Sequence, residues 1–143
     1  MKLEFLTKTS PKISECAALE KRTLPTPWSE ESIEGMSHQG KYIVATSNDC
    51  VVGICSYYLV CDELELVNIA VDEKCRKQGV GRAMMEKMLE EDFTVCSLEV
   101  AEDNIGAIGF YRSFGFIEAG KRKNFYKNKD AVIMILQKEK EKC

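Results

Sequence analysis

Gly79 and Gly81, in the run Arg76-Lys77-Gln78-Gly79-Val80-Gly81-Arg82, hold the clearest chemical potential in the chain. A strand-like run, Leu64 to Val71, enters this segment and a helix-like run, Arg82 to Glu91, leaves it. Two glycines so spaced let the backbone approach a ligand closely and turn several N–H groups toward one point. The helix that follows adds the positive end of its dipole, so the element suits a diphosphate or a similar anion. A plain tight turn would use the same glycines, and the residues downstream decide between the two. Two common phosphate loops do not fit. A Walker loop has a wider glycine spacing closed by Lys and then Ser or Thr, whereas Gly81 is followed by Arg82 and Ala83. A dinucleotide fingerprint needs a third glycine where Met84 stands and an acidic residue about 20 residues further on.

Glu99 and Tyr111 are the next residues with suitable chemistry. Glu99 lies between Leu98 and Val100 in a strand-like run, so alternation turns it away from both, either to solvent or into a cleft. Tyr111 lies on an amphipathic helical run, where it either packs beside Phe110 and Phe114 or offers its hydroxyl. Seven cysteines, at positions 16, 50, 55, 61, 75, 96 and 143, are an odd and scattered number with no CxxC pair. They read as reduced thiols of a cytosolic protein, small buried hydrophobes rather than a disulfide frame. The single histidine, His38, falls in a polar turn, so neither a zinc site nor a cysteine nucleophile is expected, and no metal is assigned.

The elements that must position these groups follow from the patterning. Leu3 to Thr7 alternates as a strand; Ser10-Pro11 reads as a cap and first turn leading into a helix through Ile13, Cys16, Ala17 and Leu19. Ser29 starts a second, short helix that ends between Gly35 and Gly40, and Trp28 sits in the proline-rich loop before it. Lys41–Thr46, Val51–Val60 and Leu64–Val71 form a three-stranded meander with turns at Ser47-Asn48-Asp49 and Cys61-Asp62-Glu63. The helix from Gly79 to about Glu91 buries Val80, Ala83, Met84, Met88 and Leu89. Val95–Val100 is a strand, Asn104 caps a helix to Phe114 that Gly115 ends, and Phe116–Tyr126 and Ala131–Gln137 are two last strands. The order predicts a mixed α/β fold in a single domain spanning 1–143, with 138–143 as a charged, fraying tail.

A chain of 143 residues can bury a core without disulfides or metal. Twenty basic against 23 acidic residues give a net charge of −3, with no global pull toward nucleic acid or an anionic membrane. The basic cluster Lys121, Arg122, Lys123, Lys127 and Lys129 reads as a solvated face. No stretch has the length of a signal peptide or a membrane span, which points to the cytoplasm. Nothing in the sequence sets the oligomeric state.

The order of elements, with RKQGVG before the third helix and LEVAEDNIGAIGFYRSFGF after the fifth strand, resembles the GNAT acetyltransferase superfamily. PTPWSEES (25–32), ELVNIAVDEKCRKQGVGRAMME (65–86), the LEVAEDN run (98–116), RKNFY and DAVIMIL are similar to the RimI-type ribosomal-protein N-terminal acetyltransferases. The resemblance implies a central, mostly antiparallel, splayed sheet of about seven strands with flanking helices. It also implies direct transfer from acetyl-CoA to a protein N-terminal α-amine, the N-terminal alanine of a ribosomal protein. The pantetheine arm would lie between the strands of Leu64–Val71 and Val95–Val100, pairing with backbone of Ile69 and Val71. Backbone N–H groups of Lys77, Gln78, Gly79, Val80, Gly81 and Arg82 would hold the pyrophosphate, Arg76 and Lys77 would add charge, and Asn104 would contact the pantetheine. Glu99 matches the general base, with Glu65 or a bound water as rivals, and Tyr111 matches the general acid. Trp28 and Tyr126 would line the acceptor groove together with Glu65. The short link Glu91–Val95 and the short turn Lys127–Asp130 depart from the family's pattern and leave the acceptor range open. A small-molecule amine or lysine acetyltransferase is the alternative enzyme; a non-catalytic acyl-CoA-binding module is disfavoured by the presence of both Glu99 and Tyr111.

Overall fold

Strand β1 (Lys2–Phe5) leads into helices α1 (Ile13–Thr23) and α2 (Glu30–Gln39) and strands β2 (Lys41–Ser47), β3 (Cys50–Val60) and β4 (Glu63–Val71). Helix α3 (Val80–Met88), strand β5 (Val95–Ala101), helix α4 (Ile105–Arg112) and strands β6 (Ile117–Tyr126) and β7 (Lys129–Gln137) follow. The computed structural model describes residues 1–126 and 128–138, with the side chains at 37–39, 124 and 126 outside the described residues. The seven strands have the order β1-β2-β3-β4-β5-β7-β6 and are flanked by the four helices, the mixed α/β arrangement that the element order requires. Strand pairs β1–β2, β2–β3, β5–β7 and β6–β7 are antiparallel. Strands β4 and β5 run parallel and, among the described residues, pair through Glu63↔Val95, Leu64↔Cys96 and Glu65↔Ser97. The chain gathers into two compact units, Met1–Leu59 with Leu66–Asp92, and Val60–Glu65 with the residues from Phe93 onward.

In the first unit, α1 and α2 bury Cys16, Leu19, Ile33 and Met36 against Tyr42, Val44, Val51, Ile54 and Ala70. Ser29 caps α2 as expected, its hydroxyl accepting the Ser32 N–H at 3.2 Å. Ser10 does not cap α1. The Ser10 hydroxyl accepts the Lys12 N–H at 3.2 Å in a local turn, and the helix begins only at Ile13. A serine that bonds backbone two residues ahead competes with helix entry, which accounts for the displaced start. Helix α2 runs on to Gln39, so the backbone of His38 is helical and not part of a turn. Asn48 and Asp49, at φ 53° and 63°, form the two-residue turn between β2 and β3, the geometry a tight hairpin needs.

Helix α3 presents Val80, Met84, Met85 and Met88 to the core, while Ala83 and Leu89 are half-buried. The expected stripe had Ala83 and Leu89 in place of Met85. Gly53 on β3 lies beneath this helix: a Cβ there would lie 2.9 Å from both Met84 Cε and Val80 Cγ1. Helix α3 seats Val80 and Met84 in the space above that glycine.

In the second unit, β5 alternates, burying Cys96, Leu98 and Val100 and turning Ser97 and Glu99 to the other face. Asn104 caps α4 by accepting the Ala107 N–H at 3.2 Å. Gly115, at φ 100°, ends the helix, with Phe116 N–H donating to the Tyr111 carbonyl at 3.3 Å. The six described cysteines are free thiols: Cys16, Cys55 and Cys96 are buried as expected, whereas Cys50 and Cys61 are exposed because they flank tight turns. Burial, with Glu20 and Glu15 adding to it, pushes the Cys16 thiol up to about 12, and burial alone pushes Cys96 to about 12. The expectation of a fraying tail concerns residues that, past Lys138, lie outside the described ones; Lys138 itself donates its N–H to the Thr94 carbonyl at 2.9 Å.

Gly53→Val places stiff β-branched bulk where Val80 and Met84 sit, so chemical denaturation should show a loss of roughly 1–3 kcal/mol in unfolding free energy. An unchanged midpoint would mean that α3 is not seated by this contact.

Candidate functional site

The end of β4 and the start of α3 are joined by a segment held at one side and bare at the other. Asp72 donates its N–H to the Val52 carbonyl at 2.8 Å, and its carboxylate accepts the Lys74 N–H at 3.1 Å. The Arg22 guanidinium meets the same carboxylate at 2.7 Å. These hydrogen bonds, from Arg22 first and then Lys74, hold the Asp72 carboxyl below its usual range. After the 3-10 turn Glu73–Cys75 the chain turns left-handed at Lys77 (φ 64°) and again at Gly79 (φ 82°), and α3 begins. Gly79 stands at the N-cap with no side-chain cap, and the first turn of an α-helix leaves its N–H groups without intrahelical partners. Nothing lies within 4 Å of the place where a Gly79 Cβ would be. Bare backbone, open space and a helix start together suit an anion such as a diphosphate. Arg76, Lys77 and Gln78 are exposed beside it, and Ile69 and Val71 are half-buried on β4.

In the second unit, Glu65 pairs with Ser97, which places Glu65, Ser97 and Glu99 on one face of the β4–β5 pair. Glu65 is exposed; the Glu99 side chain is 26% exposed and meets Arg122 of β6 through Oε1 at 3.0 Å. Lys121 faces Glu102 at 3.9 Å and Lys129 faces Asp103 at 2.6 Å, so three cations of the basic hairpin are answered by carboxylates at the end of β5. Hydrogen bonding holds Asp103 below and Lys129 above their usual ranges. Such exposed pairs stabilise little, and they offset the charge of Lys121, Arg122 and Lys129, with Lys127 outside the described residues. Tyr111 is buried, edge-on to Phe110 at 5.5 Å and to Phe116 at 6.1 Å. Its second ring partner is thus Phe116, while Phe114 meets Phe110 edge-on at 5.2 Å. Asn104 is exposed, with its Oδ1 engaged as the α4 cap.

Trp28 is half-buried against the core of the first unit, and its N–H donates to Glu20 Oε1 at 3.1 Å. Burial pushes the Glu20 carboxyl above its usual range against the pull of the Tyr42 and Trp28 hydrogen bonds, and burial together with Glu20 pushes the Tyr42 phenol up. The side chain of Tyr126 lies outside the described residues. Glu20, Arg122 and Asn68 escape the sequence reading. Glu20 hides in a helical stripe and Arg122 in a run of surface cations; Asn68 Nδ2 is buried with no partner among the described residues, which no pattern signals. Among the described residues no three His, Cys, Asp or Glu side chains group as a metal site, and no helix is long and apolar enough to cross a membrane.

In the first unit, a strand leading into a glycine-led helix start offers bare backbone that suits an anion such as a diphosphate. Residues 12–116 match the acetyltransferase (GNAT) family, and the chain belongs to it. It is an acetyl-CoA-dependent N-acetyltransferase of the RimI-like kind. It is 36% identical over 129 residues to the [ribosomal protein bS18]-alanine N-acetyltransferase of Escherichia coli K12, covering 82% of this chain and 86% of that protein. To the putative [ribosomal protein bS18]-alanine N-acetyltransferase of Bacillus subtilis it is 32% identical, covering 81% and 83%. The crystal structure of the E. coli ribosomal-protein-S18-alanine N-acetyltransferase superposes with a TM-score of 0.84 over 99% of both chains at 29% identity.

Proposed function

We propose that this enzyme acetylates the N-terminal α-amine of a protein in the cytoplasm, the acceptor being the N-terminal alanine of a ribosomal protein. The likeness to the E. coli bS18-alanine acetyltransferase along most of the chain carries this reading. The donor's diphosphate rests on backbone N–H groups from Lys77 to Arg82, with Arg76 and Lys77 adding charge. Its pantetheine arm pairs with the backbone of Ile69 and Val71, and Asn104 contacts it. The bare Gly79 position and its open surroundings support this placement. Trp28, Glu65 and Tyr126 meet the first residues of the acceptor.

In the reaction the neutral α-amine forms a bond to the acetyl carbonyl carbon as the carbon–sulfur bond breaks. The amine proton passes to Glu99, directly or through a water, with Glu65 as the second candidate base. Arg122 occupies Glu99 Oε1, so Oε2 is the oxygen assigned to the amine or water. The departing CoA leaves as the thiolate, its sulfur accepting a hydrogen bond from the Tyr111 hydroxyl, and takes its proton from solvent after release. A phenol of ordinary pKa about 10 gives its proton uphill to a thiol of about 8.5, so Tyr111 acts by a hydrogen bond that strengthens as charge develops on sulfur. An α-amine, with an ordinary pKa near 8, is partly neutral at pH 7.5, whereas a lysine near 10.4 is not.

Three measurements test this. Mass spectrometry should find the acetyl group on the α-amine of an Ala-starting ribosomal peptide; equal or faster reaction of an N-terminally blocked, lysine-containing version, or of polyamines alone, would overturn the acceptor. Calorimetry should show that Gly79→Glu, which adds bulk and negative charge at the loop, weakens acetyl-CoA binding by about tenfold or more. Tyr111→Phe should lower kcat by about ten- to a hundredfold with little change in acetyl-CoA affinity, and Glu99→Gln should do the same and flatten the acid limb of the pH profile. Wild-type rates in both variants would transfer these roles elsewhere.

A further inference from the structure

Glu20 lies in the last turns of α1, is 0% exposed, and makes no ion pair among the described residues. Its Oε1 accepts the backbone N–H of Trp28 at 3.1 Å and its Oε2 accepts the Tyr42 hydroxyl. Its own carbonyl accepts the Leu24 N–H at 2.8 Å. One residue therefore holds both ends of the loop Leu24-Pro25-Thr26-Pro27-Trp28. Pro25 and Pro27 have no N–H, so the loop has few donors by which it can be held. The Trp28 indole packs on the same core that receives Leu19 and Tyr42, which gives the loop a second point of attachment. For stability alone an apolar residue at position 20 would serve better, because a buried carboxyl with no cation is unfavourable and well-packed apolar replacements of buried charges are often more stable. A carboxyl offers what an apolar side chain lacks: two acceptor oxygens, one for the loop backbone and one for the strand that carries Tyr42.

We propose that Glu20 is a positioning residue for the acceptor: its carboxyl clamps the Trp28 loop in the shape that receives the substrate's N-terminal residue, without touching the substrate. The proposal rests on the reading of Trp28 as an acceptor-binding residue. The clamp sets how well the peptide binds and leaves the acetyl-CoA loop alone, since that loop is held by Arg22 and Asp72.

Steady-state kinetics on Glu20→Met, Glu20→Gln and Trp28→Ala, with an Ala-starting peptide and acetyl-CoA, separate the possibilities. Glu20→Met should raise peptide KM by about tenfold or more with acetyl-CoA affinity within about twofold. Glu20→Gln should restore peptide KM to within about threefold of wild type, since an amide accepts from Trp28 N–H and donates to the Tyr42 oxygen. Unchanged peptide KM in Glu20→Met, or equal loss of peptide and acetyl-CoA binding, overturns the clamp. If Trp28→Ala leaves peptide KM unchanged, the groove reading fails and takes the clamp's role in acceptor binding with it; if Trp28→Ala raises KM and Glu20→Met does not, the clamp alone fails. Amide hydrogen exchange on the wild-type protein gives an answer even if Glu20→Met does not fold or no peptide reacts. The Trp28 N–H should be protected where the neighbouring Thr26 N–H is not, and a Trp28 amide that exchanges as fast as an exposed loop amide overturns the proposal.

Discussion

The absence of a side chain at Gly53 is the constraint on which the glycine loop before α3 depends. Val80 and Met84 occupy the volume a Cβ would fill, so α3 approaches β3 closely and its first turn has one seat. Gly79 and the left-handed Lys77 follow from that seat, because the chain must leave β4 at Val71 and enter a helix whose start is already fixed. Close packing of this kind transmits position well, since an interior at native density has little room for adjustment. The loop is thus held by apolar contacts at its helix end and by Arg22 and Asp72 at its strand end.

Helix α1 distributes a second kind of order. Its last turns send Glu20 to the Trp28 loop and Arg22 to Asp72, so two separate loops are tied to one helix. At the other end of α3 the short link to β5 is fixed by Glu91. Burial of Glu91 works against its charge, yet hydrogen bonds from Lys41 and Tyr57, each at 2.7 Å, outweigh it and hold the carboxyl below its usual range.

The sequence disclosed the order of every element, since strand and helix periods are local and the chain follows them throughout. The glycine loop was also legible, because left-handed backbone leaves a mark in residue type. Starts and rotations were not: Ser10 has the look of a cap but serves a turn, and the buried face of α3 packs over a glycine almost thirty residues upstream that no window spans. The partners of the site residues were equally hidden. Arg122 reaches Glu99 across the intervening strand β7, and Glu20 reaches Tyr42 over a separation of 22 residues, contacts that register and burial create and that composition does not encode.

The buried thiols give the molecule one property that has nothing to do with transfer chemistry. Cys16 lies in the first unit and Cys96 in the second, both fully enclosed and both held up to about 12. At neutral pH such a thiol offers almost no thiolate while its unit is closed, and an ordinary thiolate fraction once the unit opens and its pKa returns to about 8.5. An alkylating reagent, once it has capped the exposed Cys50 and Cys61, therefore reads opening around Cys16 and around Cys96 as later events told apart by residue, with no change to the sequence.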